Sequence, residues 1–241
     1  MLRRIATNLK AQNWFAVFVE ILIVTLGIFF ALQADNWNER RKDRIDEQVF
    51  LTRLHEDILL AEELTDRVRD RRLNLLNDLF SAADVVFGRS DQTTMSDDLC
   101  DALAASHYFN VSVTDLPALA EMMSTGRMSI IQEADLLGAL VAMQQTKAVL
   151  EFLVSIQIVG THDLPSKYPD LMQLEAQFDG DEAWSRATCK LEGMQADQRF
   201  LNDISENIDR YDAYVRDALA PWSEQVDRVH ELVDRTLELQ H

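Results

Sequence analysis

The histidines and cysteines of this sequence are the residues best suited to bind a metal ion or to react. Asp227-x-x-His230 places a carboxylate and an imidazole one helical turn apart, and His55 is followed by Glu56 and Asp57. A di-metal helical bundle needs a Glu-x-x-His motif on each of two helices and two further glutamates. The second copy of this motif is missing from the sequence, as is H-E-x-x-H. We therefore expect no metal ion and no other cofactor.

The sequence also argues against several classes of function. It contains no G-x-S-x-G nucleophile motif and no glycine-rich phosphate loop, so we expect no catalytic residues and no enzymatic activity. The 23 Lys and Arg residues against 41 Asp and Glu residues give a formal net charge of −18. Such an excess of negative charge disfavours binding to nucleic acid, and no nucleic-acid partner is expected.

Cys100 and Cys189 are the two cysteines of the chain, and neither lies in a C-x-x-C or another metal-ligand spacing. In an oxidising compartment, an isolated pair is explained by one disulfide. In the cytoplasm, two buried thiols would be the alternative. The basic tail and the apolar segment near the amino terminus predict that this part of the chain lies outside the cytoplasm, so we expect a Cys100–Cys189 disulfide.

The most apolar segment runs from Trp14 to Ala34, and Glu20 is its sole charged residue. A helix of this length spans about 30 Å, the thickness of a bilayer's hydrocarbon core. The apolar region of a cleaved signal peptide is shorter, about 7–15 residues, and ends at a small-x-small site. We therefore predict a short basic tail at 1–13, an uncleaved transmembrane helix at 14–34 and a domain at 35–241.

Five residues of the apolar segment share one helical face, because they follow a 4-3-4-3 spacing. Small residues on such a face let two helix backbones approach closely, and a carboxyl group in lipid is tolerated mainly when it finds a polar partner. The spacing predicts a helix–helix interface in the membrane. In the alternative, Glu20 extends to the headgroups and the small residues have no role. The predicted interface residues are Glu20, Val24, Gly27, Ala31 and Ala34.

Residues 20–39 resemble the signature of a bacterial family of single-span membrane proteins, which reads G-E-I-x-L-V-x-x-G-I-L-I-A-L-Q-x-N-N-W-N-E. Two departures are Val19, where that family has Gly, and Asp35, where it has Asn. A second stretch, at 123–131, is similar to the family's S-S-G-x-L-x-x-I. The resemblance implies a single-pass protein of the bacterial inner membrane and implies no particular activity.

The orientation of the span depends on the basic residues that flank it. Three precede it and four follow it: Arg3, Arg4 and Lys10, then Arg40, Arg41, Lys42 and Arg44. The first thirteen residues contain no acid, and a short basic tail before one span is the usual layout of a signal anchor. We expect the amino terminus in the cytoplasm and the domain in the periplasm.

The domain after the span is acidic and helical by pattern. The first 34 residues hold three basic residues and one acid, a formal charge of +2. Since the whole chain has a charge of −18, residues 35–241 carry a formal charge of −20. No Gly or Pro lies between Ile28 and Phe87, which favours one helix that continues out of the bilayer. A heptad-like face, typical of coiled-coil packing, follows Leu51, Leu54, Ile58, Ala61, Thr65, Val68, Arg72, Leu75, Leu79, Ala82 and Val86. On the opposite face, Glu62, Glu63, Asp66, Arg67, Asp70 and Arg71 read as solvated charges.

Shorter elements are predicted after this helix. Caps and breakers indicate a helix at about 97–108, an extended stretch at 110–115 and a short helix that Gly126 closes. The apolar segment at 133–159 is expected to be the central helix of the bundle, and 161–181 a connection with at most a short helix at 168–178. The last segment repeats the heptad-like spacing, with a kink or a break between Leu219 and Pro221. The predicted fold class is all-α, an up-and-down helical bundle that continues the transmembrane helix.

Three classes of function remain open. The first is a membrane-anchored interaction or scaffold protein, whose partners are the lipid bilayer and either a second copy of the chain or another membrane protein. The second is an extracytoplasmic sensor or ligand-binding module that acts through a partner. The third is an enzyme whose site has no recognisable motif. A deep pocket with convergent polar groups would favour the second or the third.

Overall fold

A computed structural model describes residues 14–109, 115–180 and 182–239, without the side chains of 14–17 and 182. The structure is 77% helical with one small two-stranded sheet, so the all-α prediction is confirmed. The predicted basic tail at 1–13 and residues 110–114 of the predicted extended stretch at 110–115 lie outside the described residues.

The described elements follow one another with short connections. In chain order they are α1 (Trp14–Val86), α2 (Asp97–Ala105), α3 (Pro117–Ser124), a 3₁₀ turn (Met128–Ile130), α4 (Ala134–Gly160), α5 (Leu164–Lys167), β1 (Met172–Asp179), β2 (Glu182–Cys189), α6 (Leu191–Ala196), α7 (Gln198–Ala213), a π-helical turn (Tyr214–Leu219) and α8 (Ala220–Leu237).

Helix α1 is one helix of 73 residues, as the absence of breakers predicts. It ends where Gly88 adopts a positive φ of 66°, a conformation that glycine reaches without steric cost. The Arg89 N–H then donates to the Asp84 carbonyl at 2.7 Å. The chain divides into two units inside this helix, 1–50 and 51–241, and each is described by itself below.

In the second unit, α1 runs antiparallel to the last helices. Trp222 Nε1 donates to Thr65 Oγ1 at 3.2 Å, Arg72 donates to the Tyr211 hydroxyl at 3.3 Å, and Gln195 donates to the Val85 carbonyl at 3.0 Å. The partner numbers fall as the α1 numbers rise, which fixes the antiparallel direction. The predicted heptad-like face is buried at Leu51, Leu54, Ile58, Ala61, Thr65, Leu79, Ala82 and Val86.

The central element of the second unit is the carboxyl-terminal segment α7, the π-helical turn and α8. This segment packs against α1 on one side and α4 on another, and Phe200, Tyr211, Tyr214 and Val226 are all buried in it. The prediction that 133–159 forms the central helix is therefore wrong. Helix α4 buries only one face, and it leaves large apolar side chains exposed at Val141, Val149, Phe152, Ile156, Ile158 and Val159.

The π-helical turn explains how Pro221 fits into a nearly continuous helix. Proline lacks an N–H and its ring crowds the carbonyl four residues earlier, so an α-helix cannot pass it unchanged. The helix widens at Tyr214–Leu219, where the Ala220 N–H donates to the Val215 carbonyl five residues back. Helix α8 then starts at Ala220 with Pro221 in its first turn, which agrees with the predicted boundary.

The segment at 172–189 forms a β-hairpin, so the prediction of a connection at 161–181 with at most a short helix at 168–178 is wrong over the first strand. Strands β1 and β2 are antiparallel, from Met172 opposite Cys189 to Asp179 opposite Glu182. Gly180 has a φ of 60° in the tight turn between the strands. The alternation of apolar and polar residues in MQLEAQFD was the signal for a strand, and it was missed.

Candidate functional site

The five predicted interface residues lie on α1, and their side chains are exposed. Because α1 is helical there, their 4-3-4-3 spacing places them on one face of the helix. A Cβ atom added at Gly27 would meet nothing within 4 Å, so the surface at Gly27 is open. The Thr25 hydroxyl donates to the Ile21 carbonyl at 2.8 Å and is thus satisfied within the helix. Helix α1 is long and apolar enough to cross a membrane by length and composition. Association through this face stays a prediction.

The two cysteines lie at bonding distance, as predicted, with Cα atoms 5.8 Å apart. They connect α2 to the end of β2. Two further contacts attach the hairpin to the same helix: the Ala187 N–H donates to Asp101 Oδ1 at 2.6 Å, and Arg186 lies 3.3 Å from Asp97 Oδ2. The pair therefore fixes the hairpin to the helical core and leaves Phe178 and Trp184, near the turn, exposed.

A cluster of two imidazoles and a carboxylate lies between α1 and α8. His55 Nε2 lies 3.1 Å from Asp234 Oδ1, and His230 Nε2 lies 3.4 Å from Asp234 Oδ2. The two imidazole rings have centroids 5.5 Å apart. The three side chains are only 15–16% exposed, so the cluster is largely buried. We name His55, His230 and Asp234 the α1–α8 histidine cluster.

Helix periodicity and the register of α1 against α8 bring this cluster together. His230 and Asp234 are four residues apart, one turn of α8, and therefore share a face. Two polar contacts set the register beside it, between Trp222 and Thr65 and between Arg69 and Ser223 at 2.7 Å. The His-x-x-x-Asp spacing on α8 was visible in the sequence, whereas its proximity to His55 is a property of the tertiary structure.

Glu62 and Asp227 are two further carboxylates near the cluster. Glu62 was expected on a solvated face, but its Oε2 atom lies 2.9 Å from His230 Nδ1. Asp227 lies one helical turn before His230 in the sequence, and the structure also places Glu62 and Asp234 within ion-pair distance of His230. Burial, together with the nearby carboxylates of Glu62 and Asp66, raises the pKa of Asp227. The surroundings of the cluster are thus acidic.

His162, near the end of α4, also lies among carboxylates, but basic side chains contact these carboxylates as well. His162 Nε2 lies 3.1 Å from Glu206 Oε2 and 3.5 Å from Asp203 Oδ1. Lys167 contacts Asp203 at 2.5 Å, and Arg210 contacts Glu206 at 2.7 Å. Both carboxylates are therefore neutralised by side chains of the protein itself.

The pKa values of these two carboxyl groups reflect their partners. Burial by itself raises the pKa of Asp203, but hydrogen bonds from Lys167 and Tyr168 outweigh it, and the pKa is lowered. Hydrogen bonds from Arg210 and His162 lower the pKa of Glu206. Burial and the hydrogen bond to Asp203 raise the pKa of Tyr168 to about 12. This site is a closed network of ion pairs that stabilises the ionised carboxylates.

An open groove of about 570 Å³ lies between the end of α1 and α7. Its walls combine aromatic rings with charged side chains, and Arg89 spans part of it through an ion pair with Asp84 at 2.8 Å. Aromatic faces beside carboxylates suit a small organic cation. The residues that give it this character are Phe80, Phe87, Asp84, Asp209 and Asp212.

Comparison of the chain with protein-family models, curated proteins and solved structures gives no match. The resemblance to the single-span family therefore stays a prediction, and the functional argument depends on the geometry of the described residues.

Proposed function

We propose that this chain is a membrane-anchored helical interaction protein that associates through its transmembrane helix. The observation that carries the proposal is the exposure of the apolar part of α1, where every side chain from Glu20 to Ala34 is exposed. Burying one large apolar side chain is worth about 1.5–3 kcal/mol, so ten such residues between Phe18 and Leu32 favour a lipid environment strongly. Lipid is thus the partner that covers this surface.

The face that holds Glu20 and Gly27 provides the association surface. Lipid tails are as apolar as leucine, so helices in a membrane associate through close packing and polar contacts rather than through the hydrophobic effect. Gly27 and Ala31 allow close packing, and a carboxyl group at Glu20 gains a hydrogen bond from a partner helix. The partner is a second copy of the chain or another membrane protein, and the acidic unit from 51 onward presents the soluble surface.

The association is tested by comparing the full chain with two variants in lipid nanodiscs. Gly27→Leu should abolish or weaken the oligomer, because the added side chain prevents close approach of the backbones. Leu26→Ala lies about 100° away on the helix and is the matched control, with unchanged stoichiometry. Chemical crosslinking and native mass spectrometry measure the stoichiometry. An unchanged oligomer in Gly27→Leu contradicts the proposal, as does a wild-type chain that is monomeric and copurifies with no membrane protein.

The proposed location is the bacterial inner membrane, with the domain in the periplasm. The acid-free basic tail and the cysteine pair support this orientation. Thr93 is exposed in the loop after α1, so Thr93→Cys should react with a membrane-impermeant thiol reagent on intact spheroplasts. Gln12→Cys, in the basic tail, should react only after lysis. The reverse pattern would show that the domain is cytoplasmic.

The groove between α1 and α7 supports a second candidate, a sensor or ligand-binding module that acts through a partner. Its carboxylates and aromatic rings fit a small organic cation. Native mass spectrometry of protein extracted in a mild detergent should then show a bound small molecule, and Asp209→Asn should reduce its occupancy. Retention of the same molecule by this variant would locate its binding elsewhere.

A further inference from the structure

We propose that the α1–α8 histidine cluster is a binding site for a divalent transition-metal ion of the Zn²⁺ type. His55 and His230 supply imidazole nitrogens and Asp234 supplies carboxylate oxygen, and the candidate ligand atoms all lie within 4.8 Å of one another. Two histidines and one carboxylate are a donor set that zinc and related metals bind in proteins. This site is separate from the proposed membrane interface and does not depend on it.

The distances fit coordination by one ion. Ligands at about 2.0–2.1 Å from a tetrahedral zinc ion lie about 3.4 Å from each other. His55 Nε2 lies 3.1 Å from Asp234 Oδ1, and His230 Nε2 lies 3.4 Å from Asp234 Oδ2, so each imidazole is already at about this distance from one carboxylate oxygen. Because the candidate ligand atoms lie within 4.8 Å of one another, the ion would bind after side-chain rotations that bring all three to this separation.

Glu62 supplies the outer contact that such sites use. A metal-bound histidine usually donates the N–H of its other ring nitrogen to a carboxylate or carbonyl, which fixes the ring and makes the ligating nitrogen more basic. His230 Nδ1 lies 2.9 Å from Glu62 Oε2, on the side of the ring away from Asp234. With the proton on Nδ1, the lone pair of Nε2 is directed toward Asp234.

The α1–α8 histidine cluster and the His162 site differ in the charge of their neighbouring side chains. Around the α1–α8 cluster, Asp227 experiences the carboxylates of Glu62, Asp66 and Glu231, with Arg69 as the opposing charge. At His162, Lys167 and Arg210 contact the two carboxylates directly. A metal ion would have to displace these cations at His162, whereas it would add favourable charge at the α1–α8 cluster.

Three protein ligands leave a fourth coordination position. Structural zinc sites usually have four protein ligands, while sites with three keep one position for water or another ligand. The three side chains are 15–16% exposed, while the atoms His55 Nε2, His230 Nε2 and Asp234 Oδ1 are buried. The ion would connect α1 to α8 and would keep one coordination position for a ligand that the protein does not supply.

Zinc binding by the full chain tests the site. The protein is purified in nanodiscs without a histidine tag, treated with EDTA, and titrated with Zn²⁺ by isothermal calorimetry. We expect one equivalent of Zn²⁺ to bind. His55→Gln, His230→Gln and Asp234→Asn should each weaken this binding at least about tenfold, and Glu62→Gln should weaken it about tenfold through the outer contact.

His162→Gln is the matched control, because it also changes a partly buried histidine among carboxylates, and it should leave the affinity unchanged. Circular dichroism of each variant verifies that the fold is intact. Co²⁺ provides a second readout, since a four-coordinate site gives visible absorption bands that the ligand variants should lose. The proposal is overturned if the wild-type chain binds no Zn²⁺, or if folded ligand variants bind it as tightly as wild type.

Discussion

The two parts of helix α1 have the same helical backbone conformation, but their side chains differ in burial. From Glu20 to Ile45 every side chain is exposed, whereas from Leu51 to Val86 one face is buried among α7, the π-helical turn and α8. Both parts lack glycine and proline over long stretches, so the helix itself follows from local sequence. The comparison shows that helix formation and burial are decided separately, because the first part is helical although its side chains are exposed.

Removal of the disulfide should change stability more than the other substitutions, and it should affect only the second unit. A Cys100→Ala/Cys189→Ala double variant should lower the free energy of unfolding of this unit by about 3–5 kcal/mol, since the bond restrains a long loop in the unfolded chain. Urea unfolding followed by tryptophan fluorescence, with buried Trp222 as a reporter, measures it. An unchanged urea midpoint would show that the bond does not form in the native protein.

Leucine truncation compares the two parts of α1 directly. Leu54 is fully buried, so Leu54→Ala should destabilise the second unit by about 2–5 kcal/mol through lost apolar contacts and a residual cavity. Leu26 is exposed in the first part, and Leu26→Ala should leave the same unfolding transition unchanged. Equal effects of the two substitutions would remove the distinction between the parts.

The stability of the second unit should also decrease at acidic pH. The lowered pKa values of Asp203 and Glu206 stabilise the fold above the ordinary carboxyl pKa of about 4, and this stabilisation is lost as pH falls through the lower folded-state values. Asp203→Asn should lower stability at pH 7 by about 1–2 kcal/mol, because its contacts with Lys167 and Tyr168 weaken.

The difference between Asp203→Asn and wild type should shrink as the pH is lowered from 5 toward 2, since wild type then loses the same charge. Thermal unfolding at a series of pH values measures this. A constant difference across the whole range would mean that the ionised form of Asp203 contributes nothing to stability.

Glu20→Gln should have the smallest effect, and it concerns the first part of α1. An amide can still form a hydrogen bond with a partner helix, and such bonds in membranes are worth only about 0.6–2 kcal/mol. We expect a shift in association below about 1 kcal/mol, measured by fluorescence energy transfer between labelled chains in bilayers. A complete loss of association would instead show that the carboxylate charge is essential.

Local sequence determined the elements that depend on neighbouring residues. The long α1, its end at Gly88, the Ser96 cap of α2, Pro117 at the start of α3 and the helix boundary before Pro221 were all predictable. Each follows from backbone freedom, capping or hydrogen-bond geometry within a few residues. The hairpin at 172–189 was predictable from its alternating pattern, although the proline and glycine residues around it suggested a loop.

The tertiary structure alone decided which segment is central and which polar residues meet. Apolar content favoured 133–159 as the core helix, but burial depends on how helices pack, and α7 with α8 contacts helices on more sides than α4 does. His55 reaches His230 and Asp234 because α1 and α8 are antiparallel in one register. Sequence spacing describes neighbours along a helix, whereas a site between helices distant in the chain exists only once their packing has set the register.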